Sequence, residues 1–290
     1  MKTRVIAGLC MLPLLLIIFW GSLPLAIVCA AISYIGVTEF YKGWEARDVK
    51  PSRTIAYVMI TILYVGHFVV FYLIRGDKLI NGSHIAAAIT ENRLGNILLG
   101  LMQNQLLLLW LFLAIVVAMI YGWKITERGA YDAMATVLGL VYVVFFSYHL
   151  VLLDRLPLGY LFTWTVLLAA FGSDIMAYFT GYLLGKHKLA PNLSPKKTIE
   201  GAVGGVIGAG LLCGLYGFFF AKAYIVQCVV IGVFGGAFSQ AGDLTASAFK
   251  RKMGIKDYGN LIPGHGGIMD RFDSVMFVAP LVYYLVLFTV

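Results

Sequence analysis

Nine predominantly apolar stretches follow one another along this chain, at about 5–20, 23–41, 54–74, 97–121, 133–153, 158–184, 201–221, 223–248 and 272–290. A helix rises about 1.5 Å per residue and a bilayer's hydrocarbon layer is about 30 Å thick, so roughly 20 apolar residues suffice to cross it. Of the 290 residues, 61% are hydrophobic and 12% charged, with a mean hydropathy of +0.88. Such a surface cannot be hidden in one water-soluble core, and lipid must be the solvent. The expected fold is all-α: a polytopic integral membrane protein with about nine transmembrane helices. Gly21, Ser22, Leu23 and Pro24 predict a tight, uncharged turn between the first two.

Charge gives the orientation. With the N-terminus cytosolic and the C-terminus outside, 17 of the 22 basic residues fall on inside segments, and only Arg75, Lys78, Arg93, Arg155 and Lys222 fall outside. That is the bias of the positive-inside rule. The net charge of +8 is therefore topological and implies no nucleic-acid partner. Lys2 and Arg4 ahead of the first apolar run resemble the start of a signal peptide. No small-residue cleavage site leads into a polar soluble domain, however, so the segment is expected to stay as an anchor. Cys10, Cys29, Cys213 and Cys228 all sit inside apolar runs without ligand spacing and read as small core residues.

Three parts are expected: residues 1–96, with helices 1–3 and an outer polar segment in which Ser83–Thr90 forms a short interfacial helix; residues 97–157, a candidate dimer-forming pair of helices; and residues 158–290, the working region of helices 6–9 with cytosolic loops. From about residue 172 glycine becomes frequent and polar residues appear within the apolar runs. Asp174, Tyr178, Gly181 and Gly185 follow the i, i+4, i+7, i+11 spacing of one helix face. A carboxylate within a span costs roughly 2.5–3.5 kcal/mol on insertion scales, so Asp174 should face a partner or a wet cavity.

The loop Leu193–Gly201 places Lys196 and Lys197 beside Pro195, just before a helix capped by Thr198, where free N–H groups and the helix dipole favour anions. Gly201 to Gly205, Gly204 to Gly208 and Gly210 to Gly214 are small-xxx-small spacings that predict close helix packing. Asp243, Ser247, Lys250 and Arg251 share two helical turns. The glycine-rich segment from Lys256 to Asp273 can then fold back and bring Asp270 toward Asp243. Magnesium takes oxygen ligands, usually one or two carboxylates completed by waters and phosphates, and these aspartates supply such a pair. His265 has no histidine or cysteine at a zinc spacing and suits loop ordering or phosphate contact.

The run from Ser247 through Phe249, Lys250, Arg251, Lys256, Asp257, Gly259, Pro263, His265, Gly266, Gly267, Asp270, Arg271 and Asp273 resembles the signature of the phosphatidate cytidylyltransferases, or CDP-diacylglycerol synthases. The Asp174 stripe, the Ser194–Gly201 loop and Gln240–Asp243 resemble family features too. The motifs thus cover roughly the last 120 residues. The resemblance implies an all-helical homodimer in the cytoplasmic membrane, its site facing the cytosol. The reaction it implies converts CTP and phosphatidic acid into CDP-diacylglycerol and pyrophosphate, with Mg2+ and a second, monovalent cation.

By motif position it implies Asp243 and Asp270 as metal ligands, supported by Asp273 and Asp174. Lys250, Arg251, Lys256, Asp257, His265, Arg271 and Asp273 become candidate catalytic groups. Asp174, Tyr178, Ser194, Lys196, Lys197, Thr198, Glu200 and Ser247 become candidate substrate contacts. Two other readings share these features: the same chemistry on an ether-linked isoprenoid glycerol phosphate, and an organic-anion transporter. The second lacks the expected pair of matching broken helices, and its polar residues would gather at the midplane instead of one face.

Overall fold

The computed structural model describes residue 17 and residues 20–74, 93–124, 127–262 and 266–290, with backbone alone for 72–74 and 93–103. Helix α1 is Ser22–Glu45, α2 Arg53–Phe68, α3 Arg93–Tyr121, α4 Ala130–Gly139, α5 Phe146–Asp154, α6 Gly159–Leu184, α7 Ile199–Phe220, α8 Ile225–Met253 and α9 Met269–Thr289. A wide π turn, Val69–Ile74, continues α2, and another, Leu140–Phe145, joins α4 to α5 into one rod. Among the described residues eight helical segments are long and apolar enough to cross a membrane. Each corresponds to one of the last eight predicted runs. The first run and the Ser83–Thr90 segment lie outside the described residues, apart from Ile17 and Trp20.

The turn predicted at 21–24 is made at Gly21 and at Ser22, where α1 begins, with positive φ of 57° and 53°. Ser22, Leu23 and Pro24 already form the first turn of α1, where proline's missing N–H costs no helical bond. Asp154 at the end of α5 accepts the Ser22 N–H at 2.7 Å and fixes this entry.

The chain packs in two manners. Helices α1 to α5 join through large side chains and hydroxyl bonds. Tyr41 donates to the Thr136 carbonyl at 2.7 Å, and Ser33 meets Ser147 at 3.0 Å. Helices α6 to α9 join through glycine. A Cβ on Gly232 would lie 2.5 Å from the Ala209 carbonyl oxygen, and one on Gly205 would lie 2.9 Å from Ala177 and from the Ser173 carbonyl. That close approach is what the small-xxx-small spacings predict. Ser173 and Ser239 hydroxyls donate across the α6–α8 seam to the carbonyls of Gly236 and Ala170, at 3.1 and 3.2 Å. The halves meet at an aromatic joint in which Phe40 and Tyr142 each pack on Phe249 of α8, with ring centroids 5.7 and 5.8 Å apart. Cys29, Cys213 and Cys228 are buried free thiols, as expected of core residues.

Candidate functional site at one end of the bundle

The predicted Leu193–Gly201 loop is a short antiparallel hairpin, an exception to the all-α expectation. Its strands are β1, Lys188–Ala190, and β2, Ser194–Thr198, paired Lys188 to Thr198 and Ala190 to Ser194. Strands of three and five residues, the longer one with no large apolar side chain, carry no alternation of apolar and polar positions that a sequence could display. Glu200 fastens it by accepting from the Lys186 N–H at 3.0 Å and sitting 2.6 Å from His187 Nδ1. Thr198 caps α7 by accepting the Gly201 N–H at 3.1 Å, and its side chain fills the space left by Gly181 and Gly185 of the α6 stripe.

Beside the hairpin lies a cavity of about 500 Å³ whose lining includes Asp174, Tyr178 and Tyr182 of α6, Lys188, Lys196 and Lys197 of the hairpin, and Gln240 and Asp243 of α8. The spacing of the α6 stripe therefore did put Asp174, Tyr178, Gly181 and Gly185 on one wall. Lys197 Nζ is in direct contact with Asp243 Oδ2, both about a quarter exposed. Asp174 and buried Asp273 lie within electrostatic reach of Asp243, and Arg271 and Lys197 lie within reach of Asp174. Gln240 is buried and donates to the Ala202 carbonyl at 2.8 Å and toward Ser173 Oγ at 3.3 Å, locking the α6–α7–α8 junction behind the cavity.

The second chain reversal at this end runs from the C-terminus of α8 to α9. Gly254, with φ 76°, closes α8 in a left-handed turn that packs against Arg47. Asp270, in the first turn of α9, organises the segment. Its Oδ2 accepts the N–H groups of Tyr258 and Gly267 at 2.8 and 3.0 Å, and its Oδ1 accepts Lys250 Nζ at 2.8 Å. Burial pushes the Tyr258 phenol well above its ordinary range, and the nearby Asp273 and Asp270 charges add to this. It remains a neutral donor, to the Ala246 carbonyl at 3.2 Å.

The remaining sequence candidates divide. Asp273 is buried and accepts its own neighbour's N–H, from Ser274, at 2.8 Å. Lys256, Asp257 and Arg251 are exposed, and Arg251 reaches the Ile255 carbonyl at 3.4 Å. Ser194 and Ser247 are half-buried and are not among the residues lining the cavity. His265 lies outside the described residues. Asp270 is 3% exposed and lies outside that lining, so the cavity holds Asp243 and Asp174 while Asp270 stands behind it with Lys250.

Sequence reasoning passed over Lys188, Tyr182 and Glu39. Tyr182 had a signal, one turn beyond Tyr178 on the same face. Glu39 had a stronger one, as an acid inside the apolar run 23–41.

The donor set fits Mg2+. All the acidic groups are carboxylates, hard oxygen donors. Among the described residues no three His, Cys, Asp or Glu side chains stand at mutual ligand geometry.

Compared with known proteins, residues 2–289 match the family model described as the cytidylyltransferase family. The phosphatidate cytidylyltransferase of Bacillus subtilis is 30% identical over 288 residues, which is 98% of this chain and 97% of its own length. That of Synechocystis is 44% identical over 135 residues, 46% of this chain and 45% of its own. That of Staphylococcus saprophyticus is 48% identical over 117 residues, 40% of this chain and 45% of its own. Likeness runs nearly end to end, well beyond the final stretch that the motifs alone make legible.

Proposed function

The chain belongs to the cytidylyltransferase family, and from that membership we propose that it transfers CMP from CTP to phosphatidic acid, giving CDP-diacylglycerol and pyrophosphate for phospholipid synthesis. The observation that carries the chemistry is the meeting of two aspartates and three lysines in one cavity at the end of a membrane bundle. A soluble triphosphate and a membrane-held phosphate can both reach such a place.

Lys188, Lys196 and Lys197 bind and orient the triphosphate, whose charge they offset through charge-assisted hydrogen bonds. The phosphatidate oxygen attacks the α-phosphorus in line. A new P–O bond forms as the bond to the β-phosphate bridging oxygen breaks, and the electron pair leaves with pyrophosphate. With second phosphate pKa values of about 6, the attacking phosphomonoester is already largely ionised near neutral pH, so no strong general base is required. Lys197 contacts Asp243 and Lys250 contacts Asp270, which holds each carboxylate in place.

In this proposal Asp243 and Asp270 would hold Mg2+, which would supply positive charge to offset the triphosphate and the departing pyrophosphate. Asp273 and Asp174 support it, and a second, monovalent cation completes the set. The proposal further places the enzyme as a homodimer in the cytoplasmic membrane with the cavity toward the cytosol. The concentration of basic residues on the segments of this end supports that orientation.

The test is a single assay with purified protein, labelled CTP and dioleoyl phosphatidic acid, with and without Mg2+. Labelled CDP-diacylglycerol that appears only with lipid and Mg2+ is the expected result. Turnover unaffected by chelation would remove the Mg2+ assignment, and preference for an ether-linked isoprenoid glycerol phosphate would move the substrate.

A further inference from the structure

Glu39 lies near the end of α1, in the half of the molecule farthest in sequence from the aspartates, and it is 9% exposed. Both of its carboxylate oxygens are used by the reversal leading into α9. Oε1 accepts the Ile268 N–H at 3.2 Å and Oε2 accepts the Met269 N–H at 2.9 Å. Gly259 and Gly267 lie directly over it, so close that a Cβ on either would come within 2.3 to 2.4 Å of an Oε atom. Only glycine permits this approach of backbone to carboxylate.

The neighbouring N–H of Gly267 goes instead to Asp270, whose other partners are Tyr258 N–H and Lys250. The reversal is thus strung between two carboxylates that share consecutive amides. Asp270 takes Gly267, and Glu39 takes Ile268 and Met269. The register of one decides the position of the other.

A carboxylate at a helix N-terminus stabilises it by satisfying free N–H groups and opposing the positive end of the dipole. An ordinary cap comes from the adjoining residues. This one comes from 229 residues away. It ties the first half of the bundle to the helix that carries Asp270 and Asp273. The amides of Gly267, Ile268 and Met269 are thus occupied by the protein's own carboxylates.

We propose that Glu39 is a positioning residue for CMP transfer: it holds Gly259, Gly267 and the start of α9 so that Asp270 is presented in its working orientation. The activity arm of this inference rests on the cytidylyltransferase reading; the structural arm does not. Outer partners of functional carboxylates typically matter by 10–100-fold.

The experiment compares wild type with Glu39→Gln, which fills the same volume and keeps one acceptor while replacing the other by an N–H₂ that opposes an amide. Hydrogen–deuterium exchange on both proteins, free of nucleotide and metal, is expected to speed up at least about tenfold in peptides spanning 256–272 and to stay unchanged in the β1–β2 hairpin. Equal exchange in the two proteins would overturn the inference, and so would exchange that rises throughout the bundle. In the phosphatidate assay kcat is expected to fall about 10- to 100-fold with a smaller change in KM for CTP, and Glu39→Asp is expected to recover part of the loss. An unchanged kcat, or a loss that vanishes when expressed per folded molecule, would overturn it as well. A wild-type protein inactive toward CTP and phosphatidic acid would bring down the functional reading while leaving the exchange result decisive for Glu39.

Discussion

Helices α1 to α5 and helices α6 to α9 solve the same packing problem with different emphasis: Gly36 and Gly139 of the first set admit a facing side chain, Val143 or Tyr41, whereas glycines of the second set also admit backbone. The first set interlocks bulky side chains: Phe40 and Tyr41 are fully buried, and hydroxyls such as Ser33 and Tyr41 bond across the helix interfaces. The second set removes side chains altogether at Gly201, Gly205, Gly232 and Gly236 and brings backbones together. In lipid there is little hydrophobic drive between helices, so close van der Waals contact and hydrogen bonds must hold them. Glycine seams also leave the remaining faces free. Asp174 and Asp243 project from two closely approached helices into one cavity instead of into a packed interior. The half that looks emptier in sequence is the half with room for chemistry.

That contrast can be broken at several places. The largest effect is expected from Asp243→Ala and Asp270→Asn. Loss of several kcal/mol of transition-state charge stabilisation corresponds to about 10³-fold or more in turnover, in proteins that still purify and melt as folded species. Near-normal turnover of both variants would sink the metal assignment. Lys197→Ala should come next: removing a hydrogen-bonded charge worth about 1.5–3 kcal/mol implies roughly a 10- to 150-fold drop in kcat/KM for CTP, measured with phosphatidate held saturating.

A paired glycine experiment then tests the packing itself. Gly232→Ala forces a Cβ against the Ala209 carbonyl and should cost about 1–3 kcal/mol in a thermal melt. Gly66→Ala in α2 meets nothing within 4 Å and should be neutral or stabilising by up to about 1 kcal/mol. Similar losses in both would show that the Cβ–carbonyl clash at Gly232 does not carry the effect. A small effect on stability, and none on activity, is expected from Tyr41→Phe, which removes one buried bond to the Thr136 carbonyl. It should cost about 1 kcal/mol of stability and leave CMP transfer at the wild-type rate.

The spans were legible because a membrane helix needs only a run of apolar residues, a property each segment carries by itself. The α6 stripe was legible for a similar reason, since a helix repeats on a scale of four residues. The β1–β2 hairpin was hidden because its strands are short and charged. Glu200 shows the cost of reading locally: it stood beside the lysines as a substrate contact, yet its oxygens engage Lys186 and His187 of the hairpin. The pairing of Asp243 with Lys197 and of Asp270 with Lys250 was likewise out of reach, because nearness in sequence placed all the basic residues equally. Glu39 was visible as an acid in an apolar run, but nothing in its neighbourhood names a partner that lies in α9.

The bond between Glu39 and the start of α9 also sets a clock on biogenesis. Ribosomes add about 5–20 residues per second, so the 229 residues between Glu39 and its first partner take roughly 10–45 s to emerge. During that interval α1 resides in the bilayer with a carboxylate lacking its amides, and hydration at the helix end must sustain it. Glu39 therefore waits for α9 long after α1 has entered the bilayer, and a chain stalled before residue 268 would leave that acid without its amide partners.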